Sequence, residues 1–222
     1  MYRNGEGVPQ DNAKALKWFH KAAEQGVAAA QTCVGFIYQE GECVPQDNVK
    51  ALKWFKKVAE QGDVTAQTYV GSIYQEGNGV PQDNVKALKW FKKAAEQGHA
   101  AAQRYIGFIY HEGEGVPQDY MKALAWFHEA AKQGDAAAQN GIGLMYQNGE
   151  GVVPDREEAL RWYLKAAAQG DVDAEYNLGC MHKNNRLGDS RRDCAEAVRW
   201  FTKAAIQGDE VARDELSELA VQ

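Results

Sequence analysis

Six tryptophans stand at one repeated place in this chain. Trp18, Trp54, Trp90, Trp126 and Trp162 are 36 residues apart, and Trp200 follows after 38. Gly26, Gly62, Gly98, Gly134, Gly170 and Gly208 keep the same step, as do Gly35, Gly71, Gly107, Gly143 and Gly179. Self-similarity at a period of this length means an array of small supersecondary units, so it constrains the architecture before any motif is considered.

One period, 27–62, predicts two helices. From about Ala28 to Glu40, Ala30, Val34, Ile37 and Tyr38 recur at spacings of three and four, one apolar helical face. Gly41, Cys43 and Pro45 break this helix A, and Asp47 is placed to cap helix B, which runs through Gln61 with Ala51, Leu52, Trp54, Phe55, Val58 and Ala59 inward. Gly62 ends it, because glycine enters the left-handed conformation past a helix end without steric cost, and Asp63 can cap the next helix A at once. Two helices with one apolar face each cannot bury that surface alone, so neighbouring pairs must stack. Gly35 and its copies sit inside helix A, where glycine costs about 1 kcal/mol relative to alanine. They are expected to admit a close approach of helix B, as are paired small residues such as Ala94 and Ala95.

The repeating pattern A-x-x-x-x-G-x-x-Y-x-x-G-x-G-V-P-Q-D-x-x-K-A-L-x-W-F-x-K-A-A-E-Q-G resembles the Sel1-like repeat family, a relative of the tetratricopeptide repeats. Ala102, Gly107, Tyr110, Gly113, Gly115, Val116, Asp119, Lys122, Ala123, Trp126, Phe127, Ala130, Ala131, Gln133 and Gly134 carry it in one copy. The resemblance implies an all-α, right-handed superhelical solenoid of helix-turn-helix repeats, one domain over 1–222. Its expected parts are a partial repeat 1–26, full repeats 27–62, 63–98, 99–134, 135–170 and 171–208, and a capping helix 209–222. Met1 to Val8 match Met145 to Val152 at seven of eight positions, so Met1 is not expected to be the natural start. Cys43 replaces the loop glycine of other copies, a strained exchange if that place needs a positive φ. The stretch Lys183–Arg192 is longer than its counterparts, lacks the G-x-G-V-P sequence, and is expected to be a mobile loop.

By analogy with tetratricopeptide repeats, the A helices line a concave groove. Positions that recur in every copy hold the frame, whereas inward positions that differ between copies can read a ligand. Three residues before the repeat glycine stand Thr32, Thr68, Arg104, Asn140 and Tyr176; directly after it stand Phe36, Ser72, Phe108, Leu144 and Cys180. Four residues after it come Gln39, Gln75, His111, Gln147 and Lys183. The mix of aromatic, amide and charged groups suits an extended peptide or a partner helix. The candidate contact residues are therefore Thr32, Phe36, Gln39, Thr68, Ser72, Gln75, Arg104, Phe108, His111, Asn140, Leu144, Gln147, Tyr176 and Lys183. The competing reading makes Phe36 and Phe108 plain core. A lysine stripe on the B helices, Lys14, Lys17 and Lys21 with their copies up to Lys93, reads as a solvated face paired with nearby acids, and alternatively as a dock for an acidic partner.

Nothing in the chain assembles catalytic groups. The five histidines fall on different repeat positions without H-E-x-x-H, and Gly77-Asn78-Gly79 and Gly113-Glu114-Gly115 join helix to helix without the ending of a phosphate loop. No serine begins S-x-x-K. Some cysteine-rich members of the resembled family are associated with β-lactam binding, but their cysteine pair falls here on Ala59 and Gln67, so that disulfide and that activity are not carried over. The net charge of -6 gives no broad attraction for nucleic acid, and no run of about 20 apolar residues could cross a bilayer. Cys33, Cys43, Cys180 and Cys194 follow no disulfide or zinc spacing and are expected as free thiols. The expectation is a bacterial protein-interaction scaffold, not an enzyme, monomeric and without metal or cofactor, binding a protein or peptide in its groove. Export to the periplasm or cell surface is favoured by analogy over a cytoplasmic location. The alternatives are a receptor for cell-envelope glycan or peptidoglycan fragments and, remotely, a penicillin-binding or β-lactamase-like hydrolase.

Overall fold

The computed structural model of the protein describes residues 12–41, 44–184 and 190–220. They contain twelve α-helices and no strand, an all-α repeat fold. The B helices are α1 (Asn12–Glu24), α3 (Asn48–Glu60), α5 (Asn84–Glu96), α7 (Tyr120–Lys132), α9 (Arg156–Ala167) and α11 (Ser190–Ile206). The A helices are α2 (Ala28–Glu40), α4 (Val64–Glu76), α6 (Ala100–Glu112), α8 (Ala136–Asn148), α10 (Val172–Lys183) and α12 (Glu210–Leu219). Two compact units divide the chain, one of residues 1–109 with 113–117, the other of 110–112 with 118–222.

Aspartates start the helices as expected. Asp47, Asp83, Asp119 and Asp155 accept the first free backbone N–H groups of α3, α5, α7 and α9, and Asp63, Asp135, Asp171 and Asp209 do the same for α4, α8, α10 and α12. In the third A helix His99 substitutes, its Nδ1 accepting from the Ala102 N–H at 3.4 Å. Loop glycines Gly79, Gly115 and Gly151 all have φ near +75° (77°, 73°, 73°), so this place does require the left-handed region. Cys43, its counterpart, lies outside the described residues.

Within each unit an aromatic ring of helix B is seated on the helix-A glycine of its pair. A Cβ on Gly35 would meet the Phe55 ring at 2.6 Å, and one on Gly71 the Phe91 ring at 2.5 Å. In the other unit Gly143 faces Tyr163 and Gly179 faces Phe201 at the same range. These rings are at most 1 % exposed, whereas Trp18 is 59 % exposed. The residue after the repeat tryptophan is thus the deepest aromatic, and the tryptophans lie nearer the surface under lysine ammonium groups, Lys57 at 3.9 Å over Trp54 and Lys93 at 4.1 Å over Trp90.

A glutamine ladder joins successive repeats. Gln31 and Gln67, both buried, donate to the Ala23 and Ala59 carbonyls at 3.0 and 3.1 Å. Each is met from the next helix B, Gln61 donating to Gln31 and Gln97 to Gln67 at 2.9 Å. The second unit repeats the link with Gln169 to Gln139 and Gln207 to Glu175. Positions 59 and 67, where the resemblance would place a cysteine pair, are joined here by the hydrogen bond from Gln67 to the Ala59 carbonyl. Among the described residues Cys33, Cys180 and Cys194 are free thiols.

The expected loop Lys183–Arg192 needs correction. Lys183 ends α10, and α11 begins already at Ser190, making it 17 residues long against 12 or 13 for the other B helices. Where other copies carry a proline shortly before helix B, this one has none, so nothing prevents the helix from starting earlier. Residues 185–189, like Met1 to Val8, lie outside the described residues.

Candidate functional site

In the first unit the A-helix side of α2, α4 and the first part of α6 carries a cleft of about 320 Å3. Its walls include Gln39, Thr68, Tyr69, Ser72, His99 and Tyr105, with Thr65, Ala101 and Glu76 around them. Three sequence candidates, Gln39, Thr68 and Ser72, thus meet in one place. Their polar atoms are already engaged: Gln39 accepts from the Tyr69 hydroxyl at 2.8 Å, and Ser72 donates to the Thr68 carbonyl at 3.3 Å. Thr68 donates to the Val64 carbonyl at 3.0 Å and has His99 Nδ1 at 3.2 Å.

The other candidates of this unit lie beside the cleft or bind within their own helix. Thr32 donates to the Ala28 carbonyl at 3.0 Å. Phe36 is 41 % exposed and edge-on to Phe55 at 5.2 Å and Tyr69 at 5.5 Å. It is both a neighbour of the core and part of the surface. Gln75 and Phe108 are half-buried. The Arg104 guanidinium lies 4.5 Å over the Tyr105 ring, which stacks on Phe91 at 4.8 Å and 14°.

In the second unit the candidates do not meet in one cleft. His111 Nε2 is 2.8 Å from Glu150 Oε2 and its ring sits edge-on to Tyr120 at 5.4 Å. Asn140 is buried and accepts from Asn177 at 2.9 Å; Leu144 packs on the core around Tyr163 and Leu178; Gln147 accepts from the Tyr163 hydroxyl at 3.2 Å. Tyr176 leans on Phe201 at 5.7 Å, and its hydrogen bond with the Cys180 thiol, then burial, push its hydroxyl up to about 12. Lys183 is held by Glu215 and, at 3.1 Å, by Glu218, which raise its pKa and tie α10 to α12. A smaller space of about 220 Å3 lies by Gln147, Arg156 and Cys180.

Sequence reasoning missed Tyr69 and Tyr105, the aromatic walls of the cleft. They stand two residues before the repeat glycine, a place held elsewhere by Cys33, Gly141 and Asn177. That row varies as much as those chosen, so the same comparison between copies applied to it points to them.

The lysine stripe is largely engaged. Lys50 and Lys86 pair with the capping Asp47 and Asp83 at 3.0 and 2.7 Å, and Lys21, Lys57 and Lys93 lie over tryptophan rings. The hydrogen bonds of Lys50, backbone first, hold the Asp47 carboxyl below the usual carboxylate range. Among the described residues no group of three or more His, Cys, Asp or Glu is placed to hold a metal ion, and no helix is long and apolar enough to cross a membrane.

A family model described as Sel1 repeat matches residues 1–27, 28–63, 64–99, 100–135, 136–171 and 172–209. A Sel1 repeat protein from Oxalobacter formigenes is 40 % identical, over 93 % of this chain and 84 % of its own, with a TM-score of 0.77. The protein c5321, a protective antigen of uropathogenic Escherichia coli displaying the same fold, is 34 % identical over 98 % of this chain, which spans 54 % of it, with a TM-score of 0.65. A sel1 repeat protein from Klebsiella pneumoniae, 20 % identical over 92 % of this chain and 99 % of its own (TM-score 0.56), shares the fold. No protein with a curated description matches. With six successive matches across nearly its whole length, the chain belongs to the Sel1 repeat family, whose members are generally protein-interaction scaffolds and typically not enzymes.

Proposed function

We propose that the protein is an interaction scaffold that holds a protein or peptide partner in a groove lined by its A helices. The observation that carries this reading is the cleft between α4 and α6. It lies among residues that differ from copy to copy, while the frame residues under it recur with little change, Gly71 as glycine from Gly35 to Gly179, Phe91 as phenylalanine or tyrosine, and Gln67 as glutamine or glutamate. A surface free to vary on a constant frame is what a family of scaffolds with different partners needs. The B-helix side is less suited, since Lys57 and Lys93 lie over Trp54 and Trp90 and the neighbouring Lys50 and Lys86 are paired with the capping aspartates. The chain acts as a monomer in this reading and brings no cofactor.

The test is a pull-down from cells that express the protein, comparing the parent with a Gln39→Arg, Thr65→Arg, Ala101→Arg variant of unchanged helicity. A protein kept by the parent and lost by the variant supports the reading. Equal retention by both moves the contact to the B helices, and a parent that retains nothing under conditions of full folding contradicts a scaffold role.

A further inference from the structure

We propose that the cleft at Ser72 is an anchor pocket for one aromatic side chain of the partner, taken with a basic neighbour that pairs with Glu76. The inference rests on the scaffold reading and says what the scaffold holds. Its starting point is a comparison of two copies inside one unit. One repeat earlier the position of Ser72 is Phe36, whose ring lies edge-on to Phe55 and Tyr69 at 5.2 and 5.5 Å. The residues that correspond to Phe55 and Tyr69 one repeat later are Phe91 and Tyr105, the same residue types at the same 4.8 Å separation, stacked at 14° where the earlier pair is tilted at 56°. The helices are also unchanged, α2 and α4 both running 13 residues from equivalent starts. Serine in place of phenylalanine therefore removes a ring and leaves its seat, and Ser72 and Tyr105 both border the open space of about 320 Å3.

The chemistry of the walls selects the occupant. Tyr69, Tyr105, Ile73 and Ala101 present ring and methyl surface. The Thr68, Tyr69 and Ser72 hydroxyls and the Gln39 amide oxygen are already bonded within the protein, so a polar ligand would gain little from them and an apolar one would leave none of these four orphaned. A single aromatic residue in such a seat is the usual anchor of a protein interface. At the rim Glu76 is exposed and has no cation paired with it among the described residues, and Glu40 stands at the same place of α2. Two exposed carboxylates along one side favour a lysine or arginine next to the anchor, contributing more to orientation and encounter rate than to affinity.

The probe is the peptide acetyl-Gly-Gly-Phe-Lys-Gly-amide, titrated into the 15N-labelled full chain and followed by amide chemical shifts. Saturable shifts at Ser72, Ala101 and Tyr105 are expected. Binding should fall at least tenfold when the peptide Phe becomes Ala, and severalfold, with loss of salt dependence, when its Lys becomes Glu. Ser72→Phe should abolish binding by filling the seat, and Ser72→Leu should weaken it. Phe36 and Leu144 at the same repeat position indicate that both larger residues fold. Absence of shifts at those amides, an Ala peptide that binds as well, or a Ser72→Phe protein that binds unchanged overturns the proposal. A partner captured through the A helices by parent and Ser72→Phe alike would remove the anchor and keep the scaffold. Peptide binding without any captured partner would do the reverse.

Discussion

Replacing Gly71 by alanine tests how the repeats are locked together. In an open helix this exchange stabilises by about 1 kcal/mol, because alanine restricts the unfolded backbone and favours the helix. Within α4 the new methyl would stand 2.5 Å from Cε1 and 2.6 Å from Cδ1 of Phe91, far inside the ~3.5–4.0 Å at which carbon atoms attract. The ring has no room to retreat: it is 0 % exposed, and Tyr105 is stacked on it at 4.8 Å. Overpacking of this kind costs up to about 3 kcal/mol, so the net loss expected for Gly71→Ala is roughly 1–2 kcal/mol. Gly141, within α8, gives the internal contrast. Its added methyl would lie 3.3 Å from the nearest atoms of Phe127, a contact relieved by a few tenths of an ångström. Gly141→Ala should be neutral, or stabilising by as much as ~1 kcal/mol. Urea unfolding followed by circular dichroism and by tryptophan fluorescence measures both, and coincidence of the two signals checks that one transition is being compared. A Gly71→Ala protein as stable as the parent, or a Gly141→Ala protein equally damaged, refutes the seat of the ring on the glycine.

Three further outcomes follow from the geometry. Gln67→Ala removes the buried link to the Ala59 carbonyl and the partner of Gln97, and should cost about 1–3 kcal/mol in the same urea assay; a loss below 0.5 kcal/mol, roughly the scatter of surface changes, would deny the ladder a structural role. Lys183→Ala frees Glu215 and Glu218, so hydrogen exchange should quicken in α12 and stay unchanged in α4; protection retained in α12 would mean that the ion pairs hold nothing. Burial, then the Lys132 charge, lowers the pKa of His128, which packs edge-on against Trp162 at 5.4 Å. A lowered folded pKa means that the unfolded chain takes the proton first, so this contribution to stability is full above about pH 6.5 and is lost as the pH falls through the folded value. Stability against pH should therefore decline less steeply below pH 6.5 in His128→Phe than in the parent; identical slopes would exclude His128 as a source.

Much of the frame is readable without a structure because it repeats. Helix A from Ala28 to Glu40, the Asp47 and Asp63 caps, and a close approach at Gly35 all follow from periodic apolar residues, capping chemistry and the cost of a mid-helix glycine. Features that depend on which side chain meets which are less accessible. Gln67 recurs as a glutamine or glutamate and looks like one more frame residue; only the fold brings it to the Ala59 carbonyl eight residues back. Lys183 varies like a ligand contact, yet α12 arrives with two glutamates and engages it. Ser72 stands in a variable row, but a serine says nothing of a cavity until the rings of Phe91 and Tyr105 are in place. Tyr69 and Tyr105 stand in a row whose other members, Cys33, Gly141 and Asn177, are small or polar, so nothing but their own size singles them out. The early start of α11 is hard to read from sequence because a missing proline is a weaker signal than a present one.

The central claim is that a partner lies against the A helices. Site-specific photocrosslinking in living cells, with benzoylphenylalanine in turn at the exposed Glu40 and Thr65 of the A helices and at the exposed Lys53 and Lys89 of the B helices, tests it most directly. One and the same adduct is expected from Glu40 and Thr65 and none from Lys53 or Lys89. An adduct formed only from Lys53 and Lys89 would contradict it.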